Sequence, residues 1–261
     1  MKKMRFVSIM FFLVLIASGC VQQPIEGNLT KEQQANRNQE SARIHTELAA
    51  EYYYRGQMRV AIEEVDKALK AIPNYAPAYN VLGLVNMSLN ENQQARNNFK
   101  KALRYTPTDP EINNNYGWFL CERFPDQMDD AIDHFMTALK DPLYDTPERS
   151  YANAGICELR RDNRTEALAF FRHALSIKSN FPTAVYGLIE VDFKNGDLTS
   201  AKSKLTTFMQ HSRPTPESLW LAVQIEGALG DHLAEESYRF QLLKHFPDSK
   251  EAIALRKGRL K

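Results

Sequence analysis

Long apolar runs are scarce in this chain. One mostly apolar stretch, Phe6 to Ala17, stands near the N-terminus. At about a dozen residues it is too short for a permanent helix across a hydrocarbon core of roughly 30 Å. An excess of one charge is also missing, with 33 basic and 32 acidic residues. There is no basic block, which argues against a nucleic-acid partner. The six histidines, His45, His134, His173, His211, His232 and His245, include no pair three or four apart. No two of them therefore share a helix face as metal ligands would. A Gly-rich phosphate loop and a G-x-S-x-G elbow are both absent. Nothing in the chain assembles a nucleophile, a base and an orienting group, so no catalysis, metal or cofactor is expected. There are three cysteines, Cys20, Cys121 and Cys157.

The N-terminus is informative. A basic start, Met1-Lys2-Lys3-Met4-Arg5, precedes the apolar stretch, which ends in Ala17-Ser18-Gly19-Cys20. Small residues admit a chain to a peptidase, and a cysteine at the cut can carry lipid. The segment resembles a bacterial lipoprotein signal with its lipobox, although Ala17 stands where a larger aliphatic is commoner. The resemblance implies a signal peptide over 1–19 and lipidation at Cys20. The alternative is an ordinary secretory signal with a coincidental cysteine. Val21 in place of aspartate favours, by bacterial sorting rules, the periplasmic face of a Gram-negative outer membrane. Each buried methylene contributes about 0.8 kcal/mol and two or more acyl chains anchor stably, so the covalent lipid would be the sole membrane attachment. Residues 20–40, rich in Gln, Asn and Glu with Pro24 and Gly27, read as a flexible tether between lipid and body. Alternatively, Thr30 to Glu40 adds a turn or two to the first helix.

The remainder, 41–261, is repetitive. A small residue, an apolar one four on and an alanine three further recur as Ala61-Val65-Ala68, Ala95-Phe99-Ala102, Ala131-Phe135-Ala138 and Ala167-Phe171-Ala174. The leading alanines are 34, 36 and 36 residues apart, and Ala201 follows after 34. Prolines punctuate the helix ends at Pro73, Pro107, Pro142, Pro182 and Pro247. Leu82-Gly83, Tyr116-Gly117 and Ala154-Gly155 sit upstream. The pattern resembles the tetratricopeptide repeat, a helix–turn–helix unit. That resemblance implies an all-α, right-handed superhelical solenoid of about six repeats: 42–75, 76–109, 110–147, 148–181, 182–215 and 216–249. The third is long, and the sixth is degenerate, with Glu235 in the small-residue slot. Residues 250–261 are expected to form a polar capping helix.

In such stacks the first helix of each repeat lines the concave side, and the family resemblance places positions 5, 9 and 12 there. They are Thr46, Ala50 and Tyr53; Asn80, Leu84 and Met87; Asn114, Trp118 and Cys121; Ala152, Ile156 and Leu159; and Tyr186, Glu190 and Phe193. The expected trough is mostly apolar and accepts an amphipathic helix or extended strand of a partner, with Trp118 as anchor and Asn80 and Asn114 bonding its backbone. In the competing reading, Leu84, Trp118 and Ile156 are packing residues. Cys121 and Cys157 fall on neighbouring first helices, where either a disulfide or two buried free thiols is possible.

At the third repeat the match becomes specific. Thr108-Asp109-Pro110-Glu111-Ile112-Asn113-Asn114-Asn115-Tyr116-Gly117-Trp118-Phe119-Leu120-Cys121, then Asp141-Pro142-Leu143-Tyr144 and Ala152-Asn153-Ala154-Gly155-Ile156-Cys157, resemble the type IV pilus biogenesis lipoproteins known as PilF or PilW. The resemblance implies a pilotin: a monomer, lipidated at Cys20 and with Cys121 and Cys157 paired, that helps the pilus secretin localise or assemble in the outer membrane. A lipoprotein adaptor for peptidoglycan enzymes, built on the same repeats, is the alternative.

Overall fold

The computed structural model describes residues 30–258. The expected signal peptide, Cys20 and residues 21–29 of the tether lie outside the described residues, as do 259–261. Among the described residues thirteen α-helices follow one another: α1 (Lys31–Tyr54), α2 (Met58–Ala71), α3 (Ala76–Ser88), α4 (Asn92–Tyr105), α5 (Pro110–Arg123), α6 (Met128–Ala138), α7 (Pro147–Arg160), α8 (Arg164–Ile177), α9 (Pro182–Lys194), α10 (Leu198–His211), α11 (Pro216–Leu229), α12 (His232–His245) and α13 (Lys250–Arg256). A 3-10 turn, Pro125–Gln127, precedes α6. The described residues contain no strand.

The boundaries have local causes. Thr30 and Gln33 form a reciprocal capping box that starts α1. Asp109 accepts from the Ile112 amide at 2.9 Å while Pro110, whose missing N–H costs nothing there, opens α5. Pro182 likewise opens α9; it does not close the helix before it, which ends at Ile177. Between the two helices of a repeat the chain reverses through a left-handed residue: Gly56, Asn90, Asp162, Gly196 or Gly230. The long third repeat instead uses Phe124 and the 3-10 turn.

Residues 31–40, open in the sequence between tether and helix, are helical. Almost every side chain there is exposed, so this part of α1 runs beyond its packing against α2 as a polar rod. Ion pairs from Arg43 to Glu40 and Glu47 follow it on the same helix.

The second helices supply the wedges. Ala61, Ala95, Ala131 and Ala167 are fully buried, and so are Val65, Phe99, Phe135 and Phe171 four residues on. Each phenylalanine fits only because a first helix lacks a Cβ opposite it. A Cβ on Gly83 would stand 2.8 Å from the Phe99 ring, and one on Gly155 2.6 Å from the Phe171 ring. Such approach brings the helices into van der Waals packing along much of their length. In the degenerate sixth repeat Glu235 faces Gly227, and Arg239 holds its carboxylate at 2.8 Å. Finally, α13 covers the last apolar surface, with Ala252 and Leu255 against Leu219 and Val223.

First helices α1, α3, α5, α7 and α9 pack in a row. Between α9 and α11 this side-by-side packing thins, and the Tyr186 hydroxyl bridges the gap by donating to the Glu217 carbonyl at 3.0 Å. A hollow opens at this point.

Candidate functional site

The row of first helices sorts the three trough positions by depth. Position 9 is half-buried in every one of the first five repeats: Ala50, Leu84, Trp118, Ile156 and Glu190. Positions 5 and 12 are mostly buried, because they point toward the neighbouring first helices. Thr46, Asn80, Asn114 and Ala152 lie between helices, as do Met87, Cys121 and Leu159. Tyr53, Tyr186 and Phe193, on the outer repeats, stay half-buried.

Two hollows lie along the row of first helices, and Trp118 borders both. The smaller, about 240 Å³, is lined by Tyr53, Tyr54, Leu84, Asn114, Asn115, Trp118, Arg149, Asn153, Phe181 and Thr183. The larger, about 490 Å³, runs from Trp118, Ile156 and Leu159 past Tyr186 and Glu190 to Phe208 on α10 and Glu217 on α11. Trp118 packs one side against the core around Cys121 and Phe119. Arg160 stacks 5.3 Å from the ring centroid. The indole is therefore half packing residue and half wall, and its orientation is set by its own protein.

The asparagines do a different job from the one expected. Asn114 is 1% exposed. Its Oδ1 accepts from Ser150 Oγ at 3.0 Å and from Asn153 Nδ2 at 2.9 Å, and its Nδ2 donates to Asn115 Oδ1 at 3.4 Å. Asn80 Oδ1 accepts from Asn115 Nδ2 at 3.3 Å. These amides form a ladder tying α3, α5 and α7 together. A buried amide needs partners inside the protein, and these groups are occupied rather than offered to a partner backbone. Met87 is a second correction: it sits in the core with Phe99 and Cys121 and does not line either hollow. Phe193 packs against Ile189, Leu205 and Leu221.

Cys121 and Cys157 are joined as a disulfide between α5 and α7, with Cα atoms 5.8 Å apart. Arg160 Nη1 donates to the Cys121 carbonyl at 3.3 Å, and its Nη2 pairs with Glu122. Covalent link, guanidinium and amide ladder thus hold the same pair of helices beneath Trp118.

Sequence reasoning missed Arg160, Phe208 and Glu217. Arg160 is at position 13 of its repeat and Glu217 at position 2, outside the three positions that the repeat pattern flags. Phe208 comes from a second helix and reaches the trough only where the first-helix row thins.

Besides Tyr186, whose phenol is pushed up strongly by burial, this setting affects Glu190. Burial pushes its carboxyl above the usual range, Lys194 on its own helix and Arg160 from α7 draw it back, and Glu217 from α11 adds to the rise. The sign follows. A carboxyl whose folded pKa is raised favours the protonated form, so its contribution to stability is present below the unfolded pKa and lost as pH rises through the folded one. Glu190→Gln is therefore expected to gain on the wild type between acidic and neutral pH. Urea titrations at pH 4 and pH 8 measure this; equal stability differences at both would show the carboxylate to be well solvated.

Among the described residues no cluster of three His, Cys, Asp or Glu is placed to hold a metal, and no helix is long and apolar enough to cross a membrane.

Comparison with known proteins agrees with this architecture. The tetratricopeptide repeat model matches residues 76–109. The type IV pilus assembly protein PilF of Pseudomonas aeruginosa is 25% identical over 245 residues, spanning 94% of this chain and 95% of the relative. The crystal structure of PilW, described as a widely conserved type IV pilus biogenesis factor, has a TM-score of 0.72 at 32% identity and covers 82% of this chain and 97% of that one. The solved structure of Pseudomonas aeruginosa PilF has a TM-score of 0.70 at 25% identity, covering 85% and 99%.

Proposed function

The chain belongs to the PilF/PilW family of type IV pilus assembly proteins, and from that premise we propose that it is a pilotin. It is lipidated at Cys20, held on the periplasmic face of the outer membrane, and grips a segment of the pilus secretin in its concave trough. The observation that supports this reading is the half-buried Trp118 between two hollows, the larger mainly apolar and the smaller walled by aromatics and amides. A large apolar ring fixed by its own protein and open to solvent on one side is the usual make-up of an interface anchor.

The parts act together without breaking a bond. The lipid confines the solenoid to the membrane, and the exposed helical stretch of α1 holds the body off it by roughly 15 Å at 1.5 Å per residue. Binding secretin subunits there raises their effective concentration where the ring must form.

Truncating such an anchor typically costs about 2 kcal/mol, or roughly 30-fold in affinity. Trp118→Ala should stay folded with a lowered melt, because the packed side of the ring is lost, while losing that affinity and, in cells, depleting secretin multimers. A photoreactive residue at position 118 should crosslink to the secretin. Wild-type multimer levels in a folded Trp118→Ala strain would overturn the assignment. If wall turnover changed instead, the adaptor of peptidoglycan enzymes would take its place.

A further inference from the structure

The larger hollow has an unsatisfied acidic end. Four charged side chains reach it: Arg160, Glu190, Lys194 and Glu217. Both cations are near enough to act on Glu190 through space, but each has its ion pair elsewhere. Arg160 pairs with Glu122, and Lys194 Nζ lies 3.8 Å from Asp162 Oδ1. Among the described residues neither carboxylate has a cation within ion-pairing distance. Glu190 stands half-buried at position 9, the one charged residue at a position that carries Ala, Leu, Trp or Ile in the four repeats before it. Trp118, Tyr186 and Phe208 line the same hollow.

A carboxylate taken from water without a counterion is unfavourable. Aromatic faces beside it attract cations and have little to offer an anion. The volume, about 490 Å³, is that of a site for one long side chain and its flanking backbone. We propose that this hollow takes a single arginine or lysine of the bound segment, its stem along Trp118 and Tyr186 and its charge on Glu190 with Glu217 at the rim. The inference rests on the trough being a peptide-binding groove. It adds what the apolar lining cannot supply, a fixed register: sliding the segment by one residue leaves a cation against an apolar wall and the buried carboxylate unpaired.

The test uses the full-length protein in detergent and a phage-displayed library of random peptides. Peptides selected on the wild type should carry an arginine or lysine beside an aliphatic or aromatic residue. Replacing that basic residue with glutamine should weaken binding at least tenfold on the wild type. On the Glu190→Gln/Glu217→Gln variant, the same replacement should make little further difference, which identifies the pair as coupled. Peptides that need Trp118 but carry no basic residue, or that carry an acidic one, would overturn this inference and leave the groove standing. Peptides that bind Trp118→Ala as tightly as the wild type, or a selection that yields none, would remove the groove reading and this inference with it.

Discussion

Phe171→Ala should cost about 3–5 kcal/mol, the range for deleting a fully buried aromatic ring. Phe171 has no solvent exposure. Its ring lies where the side chains of two glycines would be, Gly155 on α7 and Gly187 on α9. One side chain on α8 therefore joins two consecutive repeats. The helices it separates cannot close the gap freely, because α7 is tied to α5 by a disulfide and amide ladder. A stack of this kind is stable through nearest-neighbour interfaces, so weakening one such interface should also broaden the transition. Urea unfolding followed by far-ultraviolet circular dichroism measures both. A loss under about 1 kcal/mol would mean that the helices collapse onto the vacancy, contrary to the wedge described. The same variant bears on the larger hollow: Ile156 on α7 and Tyr186 on α9 both line it, and the ring lies between these helices.

Removing the cystine is the other large effect. Cys121 and Cys157 are 36 residues apart. Closing a loop of that length stabilises by about 4 kcal/mol in the chain-entropy account. The Cys121→Ala/Cys157→Ala variant, or the wild type under reductant, should lose a comparable amount. Both sulfurs are buried, so alkylation of the native, unreduced protein should label neither, and mass spectrometry after denaturation should still find them joined. Labelling of both in denaturant without reductant would show free thiols. In that event Arg160, which contacts the Cys121 carbonyl and stacks on Trp118, would remain to orient the anchor. Partner affinity would then be insensitive to reductant.

The two outcomes differ in reach. Phe171 acts between the fourth and fifth repeats, beside the larger hollow. The cystine acts between the third and fourth, beneath the indole. A variant that loses stability at the first site and affinity at the second would separate support of the groove from support of its anchor.

The repeat was legible because its physics is local. An alanine, an apolar residue four on and an alanine three further mark one face of one helix, and this face is the one the structure buries at Ala95, Phe99 and Ala102. Capping residues and prolines set the helix ends for the same reason: each acts on amides within a turn of itself. Trp118 was legible as a trough residue because position 9 points away from both neighbouring first helices. Depth was not legible at positions 5 and 12. Whether Asn114 faces a ligand or Ser150 depends on a residue 36 positions away, and no periodicity within one repeat carries that information.

The one-dimensional pattern was thus sufficient for the helix pairs, the interhelical wedges and the line of residues along which a partner could lie, since each follows from spacing within a single repeat. The two hollows, the engaged asparagines and the unpaired Glu190 came from the way successive repeats stack. There the fate of a polar group is decided by the neighbour that reaches it, and at the loosened α9–α11 step the neighbours are a second-helix phenylalanine and a carboxylate from the following repeat.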